Sequence, residues 1–243
     1  MLVKKHDVRI EERKNLMGGK NSVFSSYLLE LPDFKGAGRL FHKIVIPPMS
    51  EIGYHTHKGD SEAYFMLKGE GLYDNDGEKV RVAAGDLMFT PDGCGHGLYN
   101  DTDSNIEMIA LVLYNFTPDV DVKSLKTIKK AGTLVRGELN APFGGKGVFW
   151  GDVLLEGAEL TGAGRVYKYL HMLPDCELGY HEHKGETEVF YILGGKGIFV
   201  DDGVEKEVEE GDVCITPDGH SHGLYNPNKE DLVYIAVIYQ DKE

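Results

Sequence analysis

Two stretches of this 243-residue chain carry nearly the same pattern of histidine, glutamate and glycine. They read GYHTHKGDSEAYFMLKGEG at residues 53–71 and GYHEHKGETEVFYILGGKG at residues 179–197, so they lie 126 residues apart (179 minus 53). At that offset residues 18–110 align with residues 144–236 without a gap, and 38 of the 93 positions are identical. The chain is therefore a tandem repeat of two homologous modules.

Both modules have the apolar pattern of an all-β fold. Short runs rich in Val, Ile, Phe and Tyr alternate with turn signals every 8–12 residues, such as NDG at 75–77 and PDG at 91–93. Evenly spaced short strands without a sustained helical period predict a sandwich or a closed barrel. We predict an N-terminal domain over 1–118, a linker with room for one short helix over 119–133, and a C-terminal domain over 134–243.

Composition and charge exclude several classes of protein. The formal charge is -14, from 26 basic and 40 acidic side chains, and no basic run offers a phosphate-binding stripe, so we expect no nucleic-acid partner. The first residues contain no apolar stretch long enough for a signal peptide, and no window approaches the length of a membrane span, so we expect no membrane partner. Cys94, Cys176 and Cys214 lack CxxC spacing and make no disulfide framework. We predict a cytoplasmic monomer or homodimer whose partner is a small molecule.

The repeated histidines have the spacing of metal ligands. On a strand, His55 and His57 project from the same face, and a turn over KGD returns the chain so that Glu62 lies beside them. A second repeated motif, GDLMFTPDGCGHGLYN at residues 85–100, supplies His96 as the fourth group. Imidazole and carboxylate ligands suit Mn, Fe, Ni, Zn or Co, so we expect one divalent transition metal in each module. The equivalent ligands of the second module are His181, His183, Glu188 and His222.

These two motifs also carry a resemblance to a known family. The first reads HxH, four residues, Glu, six residues, Gly, and the second reads Gly, five residues, PxG, two residues, His, three residues, Asn. The pair resembles the two conserved motifs of the cupin superfamily, and both modules fit, so the chain resembles a bicupin. The glycine that usually stands six residues before the first His is Met49 or Asp175 here. We assign the same bend to Gly53 and Gly179.

The resemblance implies two tandem cupin (jelly-roll) β-barrels related by pseudo-two-fold symmetry. It also implies a divalent metal in each barrel, held by three His and one Glu, with about two coordination positions left open. Cupin relatives include decarboxylases, oxidases, dioxygenases, isomerases, storage proteins and sensory domains, so the fold alone does not choose a reaction.

We expect a metalloenzyme acting on a small oxygen-rich molecule, such as a keto or hydroxy acid, an enol or a sugar derivative. It would be a metal-dependent lyase, isomerase or dioxygenase that uses Lewis-acid or dioxygen chemistry. The alternative is a non-catalytic small-ligand-binding or metal-sensing protein. In oxalate decarboxylases an arginine stands three residues before the first ligand His; here those positions are Ile52 and Leu178, which argues against oxalate chemistry. No catalytic residue is assigned.

Two repeated pairs of residues are candidates for contacts around the ligands. Arg39 and Arg165 stand at the start of their predicted strands. They either bind a substrate carboxylate in a bidentate manner or are solvated residues at the strand end, and the solvated alternative is favoured. Tyr99 and Tyr225 stand three residues after the last ligand His. They either donate a hydrogen bond near the metal or pack against the preceding strand.

Two further pairs lie beside the ligands in sequence. Cys94 and His220 differ between the modules and are candidates for an acid, base or redox partner, although loop variation is the favoured alternative. Asp60 and Glu186 lie in the turn before the ligand Glu and are candidate general acids, although solvated turn carboxylates are favoured. We expect six apolar residues to wall the cavities: Tyr64, Met66, Phe89, Phe190, Ile192 and Ile215.

Overall fold

The computed structural model describes residues 1–117 and 119–242, which form two compact units of antiparallel strands. The all-β prediction is confirmed. The unit called N-terminal here comprises Arg9–Leu134 and Gly157–Ala163. The unit called C-terminal comprises Met1–Val8, Val135–Glu156 and the chain from Gly164 onward. A search of the described residues for a helix long and apolar enough to cross a membrane finds none.

The chain forms twenty-two strands and five single-turn 3-10 helices within the described residues. The strands are β1 (Leu2–Val3), β2 (Ile10–Lys14), β3 (Ser22–Tyr27), β4 (Gly38–Ile46), β5 (Glu51–Thr56), β6 (Asp60–Lys68), β7 (Glu70–Asn75), β8 (Glu78–Ala83), β9 (Leu87–Thr90), β10 (Gly95–Tyr99), β11 (Ile106–Tyr114), β12 (Thr127–Lys129), β13 (Val135–Asn140), β14 (Val148–Leu155), β15 (Gly164–Met172), β16 (Glu177–Glu182), β17 (Glu186–Gly194), β18 (Lys196–Asp201), β19 (Val204–Glu209), β20 (Val213–Thr216), β21 (Ser221–Tyr225) and β22 (Leu232–Gln240). The 3-10 helices are Leu16–Gly18, Leu31–Phe34, Val122–Leu125, Pro142–Gly144 and Gly157–Leu160.

Each unit contains one seven-stranded and one four-stranded sheet. In the N-terminal unit the strand orders are β12-β9-β6-β11-β4-β3-β2 and β5-β10-β7-β8. In the C-terminal unit they are β1-β20-β17-β22-β15-β14-β13 and β16-β21-β18-β19. The central strands β6, β11, β17 and β22 are buried over most of their length, which explains their long apolar runs.

One edge strand of each seven-stranded sheet comes from a segment that is distant in sequence from the strand it pairs with. In the C-terminal unit β1 pairs with β20, so Met1–Val8 complete a sheet formed by residues beyond 134. In the N-terminal unit β12, from within the predicted linker, pairs with β9. The predicted domains follow sequence order, whereas the compact units exchange short segments, and the predicted boundaries stay a prediction. Pro118 and Glu243, where two of those domains end, lie outside the described residues.

A β-bulge in each four-stranded sheet sets the direction of the ligand histidines. Strand β10 pairs with β5 so that Leu98 faces Ile52 and His96 faces His55; β5 thus has one more residue than β10 over this interval. The extra residue reverses the alternation of β5, and His55 therefore projects to the same side as buried Ile52. The same shift occurs between Leu178 and His181 in the C-terminal unit.

The bulge requires glycine because another backbone segment crosses it closely. A Cβ on Gly53 would lie 2.3 Å from the carbonyl oxygen of Met17 and 2.6 Å from the amide nitrogen of Gly19. Gly179 meets the carbonyl oxygen of Phe143 at 2.3 Å in the same way. The bend assigned to these two glycines from the sequence therefore lies at the bulge that aims the ligands.

The interior face of each barrel follows from strand alternation and corrects one prediction. Tyr64 and Met66 line the interior of the N-terminal unit, and Phe190 and Ile192 line that of the C-terminal unit. Phe89 and Ile215 are buried on the opposite face of their sheets, so the prediction that they wall the cavities is wrong. The reason is cross-strand register: Phe89 lies opposite Ala63, whereas Thr90 lies opposite the inward Glu62. On the same two strands, the neighbouring residues Met88 and Cys214 belong to the interior apolar clusters instead.

Candidate metal centre

Four predicted ligand side chains meet in the interior of the N-terminal unit. His55 on β5 lies directly opposite His96 on β10, and Glu62 reaches them from β6 of the other sheet. The Nε2 atom of His96 lies 3.2 Å from Nε2 of His55, 3.2 Å from Nε2 of His57 and 2.9 Å from a carboxylate oxygen of Glu62. The structure therefore brings all four residues together at one point.

The outward nitrogens of these imidazoles are held by oxygen atoms. His55 Nδ1 lies 3.0 Å from the carbonyl oxygen of Gly53, and His57 Nδ1 lies 2.6 Å from the carboxylate of Asp60. Neither a carbonyl nor a carboxylate oxygen donates a hydrogen, so both Nδ1 atoms must carry the proton and donate it. In each neutral ring the lone pair is then on Nε2, which points toward the other ligands. This is the arrangement expected of histidines that bind a metal through Nε2.

This arrangement of atoms fits a cation. Three Nε2 atoms that face one another at about hydrogen-bond distance repel if all carry lone pairs, and the buried Glu62 adds a negative charge. A positive charge at the point where they converge would stabilise all four groups. The four candidate ligand atoms lie within 4.8 Å of one another in each unit, which is compatible with one shared ion.

The C-terminal unit repeats this geometry. His222 Nε2 lies 3.2 Å from Nε2 of His183 and 3.3 Å from Nε2 of His181, and 2.9 Å from the Glu188 carboxylate. His181 Nδ1 lies 2.9 Å from the carbonyl oxygen of Gly179, which fixes its tautomer as in the first cluster. The structure therefore contains two four-residue clusters, one in each unit, that could hold a metal ion.

The surroundings of Glu62 and Glu188 favour the ionised form of both carboxyl groups. Burial opposes ionisation of Glu62, but the neighbouring imidazoles of His55, His57 and His96 hold its pKa well below the usual range. Burial likewise opposes ionisation of Glu188, and its histidine neighbours lower that pKa to about 2. Both glutamates are therefore anions at neutral pH, as metal ligation requires.

The pKa values of the histidines separate the buried rings from those beside carboxylates. Burial lowers the pKa of His96 to about 4, so this imidazole is neutral at pH 7. Burial also disfavours the charged form of His57, but hydrogen bonds to Asp60 and Glu62 outweigh it and raise its pKa to about 9. The pKa of His183 is raised by the same balance, with Glu188 and Glu186 as its partners. Each cluster thus favours a positive charge, whether a proton or a metal ion.

A carboxylate links an arginine to one ligand histidine in each unit. Asp60 accepts hydrogen bonds from His57 Nδ1 and from Arg39 Nε, both at 2.6 Å, and it is buried. In the C-terminal unit Glu186 accepts a bidentate pair from Arg165 at 2.6 Å and lies 3.0 Å from His183 Nδ1. The favoured expectation that these carboxylates are merely solvated is wrong, because the turn points them back at the ligand.

The other sequence candidates make their contacts elsewhere. The hydroxyl of Tyr99 contacts Met49, and Tyr225 faces outward because it alternates with the buried Leu224 on β21. Cys94 is buried and its thiol is influenced by burial and by Asp76, which together raise its pKa. The half-exposed His220 pairs with Asp202 at 2.6 Å. Both residues support the clusters through the main chain. The carbonyl oxygen of Cys94 accepts a hydrogen bond from the amide of His57, and that of His220 accepts one from the amide of His183.

Two kinds of supporting residue were missed in the sequence. Thr90 Oγ1 lies 2.9 Å from His96 Nδ1, and Thr216 makes the same contact with His222. Tyr73 adds a hydroxyl 3.1 Å from His96 Nδ1 in the N-terminal unit alone, since Phe199 occupies the equivalent position. The repeated TPDG tetrapeptide, 126 residues apart, was the available signal for the threonines.

The interior of the C-terminal unit holds a cavity beside the ligands. Its volume is about 150 Å³. Apolar side chains form most of the wall, while His181 and Glu188 contribute ligand atoms and Arg165 and Lys168 contribute positive charge. The cavity is lined by Leu139, Phe143, Phe149, Arg165, Val166, Lys168, Leu170, Leu178, His181, Glu188, Phe190, Tyr234, Ala236 and Ile238.

The Cupin domain family matches this chain over residues 42–113 and 168–238, which together contain all eight candidate ligands. The chain belongs to the cupin family. The resemblance drawn from the two motifs is confirmed, and the matches lie in tandem, so the protein is a bicupin.

Proteins of similar sequence or similar fold include two that are named for oxalate. An oxalate-binding protein from Thermotoga maritima is 34% identical over 113 residues, which are 46% of this bicupin and 93% of the relative. The crystal structure of protein Ylba from E. coli matches 100% of this chain and 91% of its own, with a TM-score of 0.73 and 12% identity. Oxalate decarboxylase from Bacillus subtilis matches 99% and 76%, with a TM-score of 0.62 and 18% identity. The last two show the two-domain cupin fold alone.

Proposed function

We propose that this bicupin is a divalent-metal-dependent enzyme acting on a small oxygen-rich molecule, foremost a small carboxylic acid. The observation that supports this best is the convergence, in each unit, of three imidazole nitrogens and an ionised glutamate. In the C-terminal unit the cluster also borders a cavity, so a small molecule has space beside the ligands.

In this proposal the metal of the N-terminal unit is held by His55, His57, Glu62 and His96. The metal of the C-terminal unit is held by His181, His183, Glu188 and His222. When bound, a divalent cation supplies Lewis acidity toward an oxygen atom of the substrate. The protein's own groups orient the imidazoles through Asp60 and Glu186 and exclude water with the apolar walls of the barrels.

Oxalate belongs in the set of candidate substrates. The relative that is 34% identical is named an oxalate-binding protein, and that name gives a reason to test oxalate here. The apolar Ile52 and Leu178 argue against a decarboxylase that places an arginine at those positions, since both side chains are buried in the barrel cores. The proposed substrate class therefore extends to keto and hydroxy acids, enols and sugar derivatives.

The test is turnover by protein with a defined metal content. Purified protein is stripped, reloaded separately with Mn, Fe, Co, Ni or Zn, and incubated with oxalate, keto acids, hydroxy acids and sugar enediols. Oxygen uptake and products are recorded. We expect at least one acid to be consumed by a metal-loaded form, and the double variant His96→Ala, His222→Ala to be inactive. Silence of every metal form across the panels would contradict an enzymatic function.

The second candidate function is binding without turnover, which the name of the oxalate-binding relative favours. Thermal stability separates the two candidates. A ligand that raises the melting temperature and is recovered unchanged after prolonged incubation with metal-loaded protein supports binding alone. A ligand whose stabilising effect fades as product appears supports the enzyme.

A further inference from the structure

The cavity of the C-terminal unit contains a lysine that the ligand motif does not account for. Lys168 lies on β15 between Val166 and Leu170, and all three line the cavity together with His181 and Glu188. Alternation along the strand therefore directs Lys168 to the cavity side of β15, where the residue is partly buried. Its cross-strand neighbour Ala236 also lines the cavity and has only a methyl group, which leaves room above it.

The ammonium group of Lys168 has no acidic partner among the described residues. The other basic residue of the cavity wall, Arg165, is already neutralised by two hydrogen bonds to Glu186 at 2.6 Å. No hydrogen bond or ion pair joins Lys168 to a described side chain, although the wall around it is mainly apolar. Lys168 is partly buried, and an ammonium group brought beside apolar surface is costly unless an anion pairs with it.

The N-terminal unit differs at the equivalent position. His42, 126 residues earlier, also points inward, but it is buried and its Nδ1 has no described partner. Burial, with the help of Arg13, lowers the pKa of His42 to about 4, so the ring is neutral at pH 7. The two units therefore carry matching ligand clusters but differ in what they offer an anion. Lys168 places a positive charge in the cavity of the C-terminal unit, whereas the N-terminal unit has the neutral ring of His42 at the equivalent position.

We propose that Lys168 makes the C-terminal cavity a binding site for a small carboxylate, which lies between its ammonium group and the His181–Glu188 side of the cluster. This inference rests on the proposed function, because it names the ligand class and the unit that takes it. A cavity of about 150 Å³ has room for roughly five water molecules, so it fits a small acid and not a sugar chain or a peptide. The protein's formal charge of -14 disfavours anions in general, which makes a local positive charge necessary.

The experiment measures oxalate binding to the metal-loaded full-length protein by isothermal titration calorimetry, with turnover assayed separately. The variants are Lys168→Met, which keeps the unbranched chain but removes the charged end, Lys168→Arg, which keeps the charge, and His42→Gln as the matched change in the other unit. Metal content is measured for each. We expect Lys168→Met to weaken oxalate binding by about ten- to a hundredfold at unchanged metal content, as for loss of a charge-assisted hydrogen bond.

Lys168→Arg should stay within a few fold of the unchanged protein, and His42→Gln should bind oxalate equally well. Equal affinities for Lys168→Met and the unchanged protein would overturn the inference, as would absence of saturable binding or an equal loss in His42→Gln. Failure of this site and failure of the proposed enzymatic function give different results in these assays. A protein that binds oxalate through Lys168 but consumes nothing would contradict catalysis alone, and an active enzyme indifferent to Lys168→Met would contradict this site alone.

Discussion

Replacing Asp60 with asparagine tests whether the carboxylates behind the ligand histidines tune metal binding. Asp60→Asn keeps the shape of the side chain but removes the charge that accepts from His57 Nδ1 at 2.6 Å. A hydrogen bond to a charged acceptor contributes about 1.5–3 kcal/mol and a neutral one about 1 kcal/mol. The loss of about 1.5 kcal/mol corresponds to roughly tenfold weaker metal binding at the N-terminal site, at the lower end of the range for such outer partners.

The equivalent change in the other unit should have a smaller effect. The side chain of Glu186 is 16% exposed and lies 3.0 Å from His183, whereas that of Asp60 is 9% exposed and lies 2.6 Å from His57. A longer contact that is better screened by solvent should contribute about half as much, so Glu186→Gln should weaken binding at its own site by about threefold. The predicted order of the two variants is thus fixed by the structure before any measurement.

The assay is competition for Zn or Co between the protein and a chromophoric chelator. Each variant is made in a background whose other cluster is disabled by a histidine-to-alanine change, so that one affinity is read at a time. Asp92→Asn serves as the matched control, because Asp92 accepts from the amide of Gly59 in the same turn at 2.8 Å and contacts no ligand imidazole in the described residues. An affinity for Asp60→Asn equal to that of Asp92→Asn would refute the reasoning.

Three further predictions concern the bulge, the number of sites and the difference between the units. Gly53→Ala should lower the free energy of unfolding by about 3 kcal/mol in urea, because the new methyl group meets crossing backbone, whereas Gly137→Ala, with open space around it, should change it by less than about 0.5 kcal/mol. His55→Ala and His181→Ala should each remove one metal equivalent per chain, measured by plasma mass spectrometry; retention of both would contradict the predicted ligand sets. Tyr73→Phe should cost about 1 kcal/mol in unfolding free energy by loss of its buried hydroxyl contacts, yet leave the metal content unchanged, and a loss of metal would show that the hydroxyl is needed for binding.

The candidate ligands were predictable because their spacing is local and repeated. The HxH pair, the glutamate and the last histidine fall within about 45 residues, and each recurs at the same offset, so one pattern checks the other. The same repetition gave the tandem organisation, and the short apolar runs between turn signals gave the all-β fold. What repetition does not show is which of the intervening side chains turn inward, and for that reason Asp60 is wrongly expected in solvent and Phe89 in the cavity wall.

The sequence by itself determined that two like modules each carry three histidines and a glutamate in metal-ligand spacing. Only the tertiary structure decided that a bulge at Gly53 reverses the alternation of β5, that Asp60 turns back onto His57, and that Met1–Val8 complete a sheet of the C-terminal unit. It also placed Lys168 and the C-terminal ligands around one cavity. The physical reason is that a side chain's face depends on strand register, and register is set by hydrogen-bonded partners that lie far away in the chain.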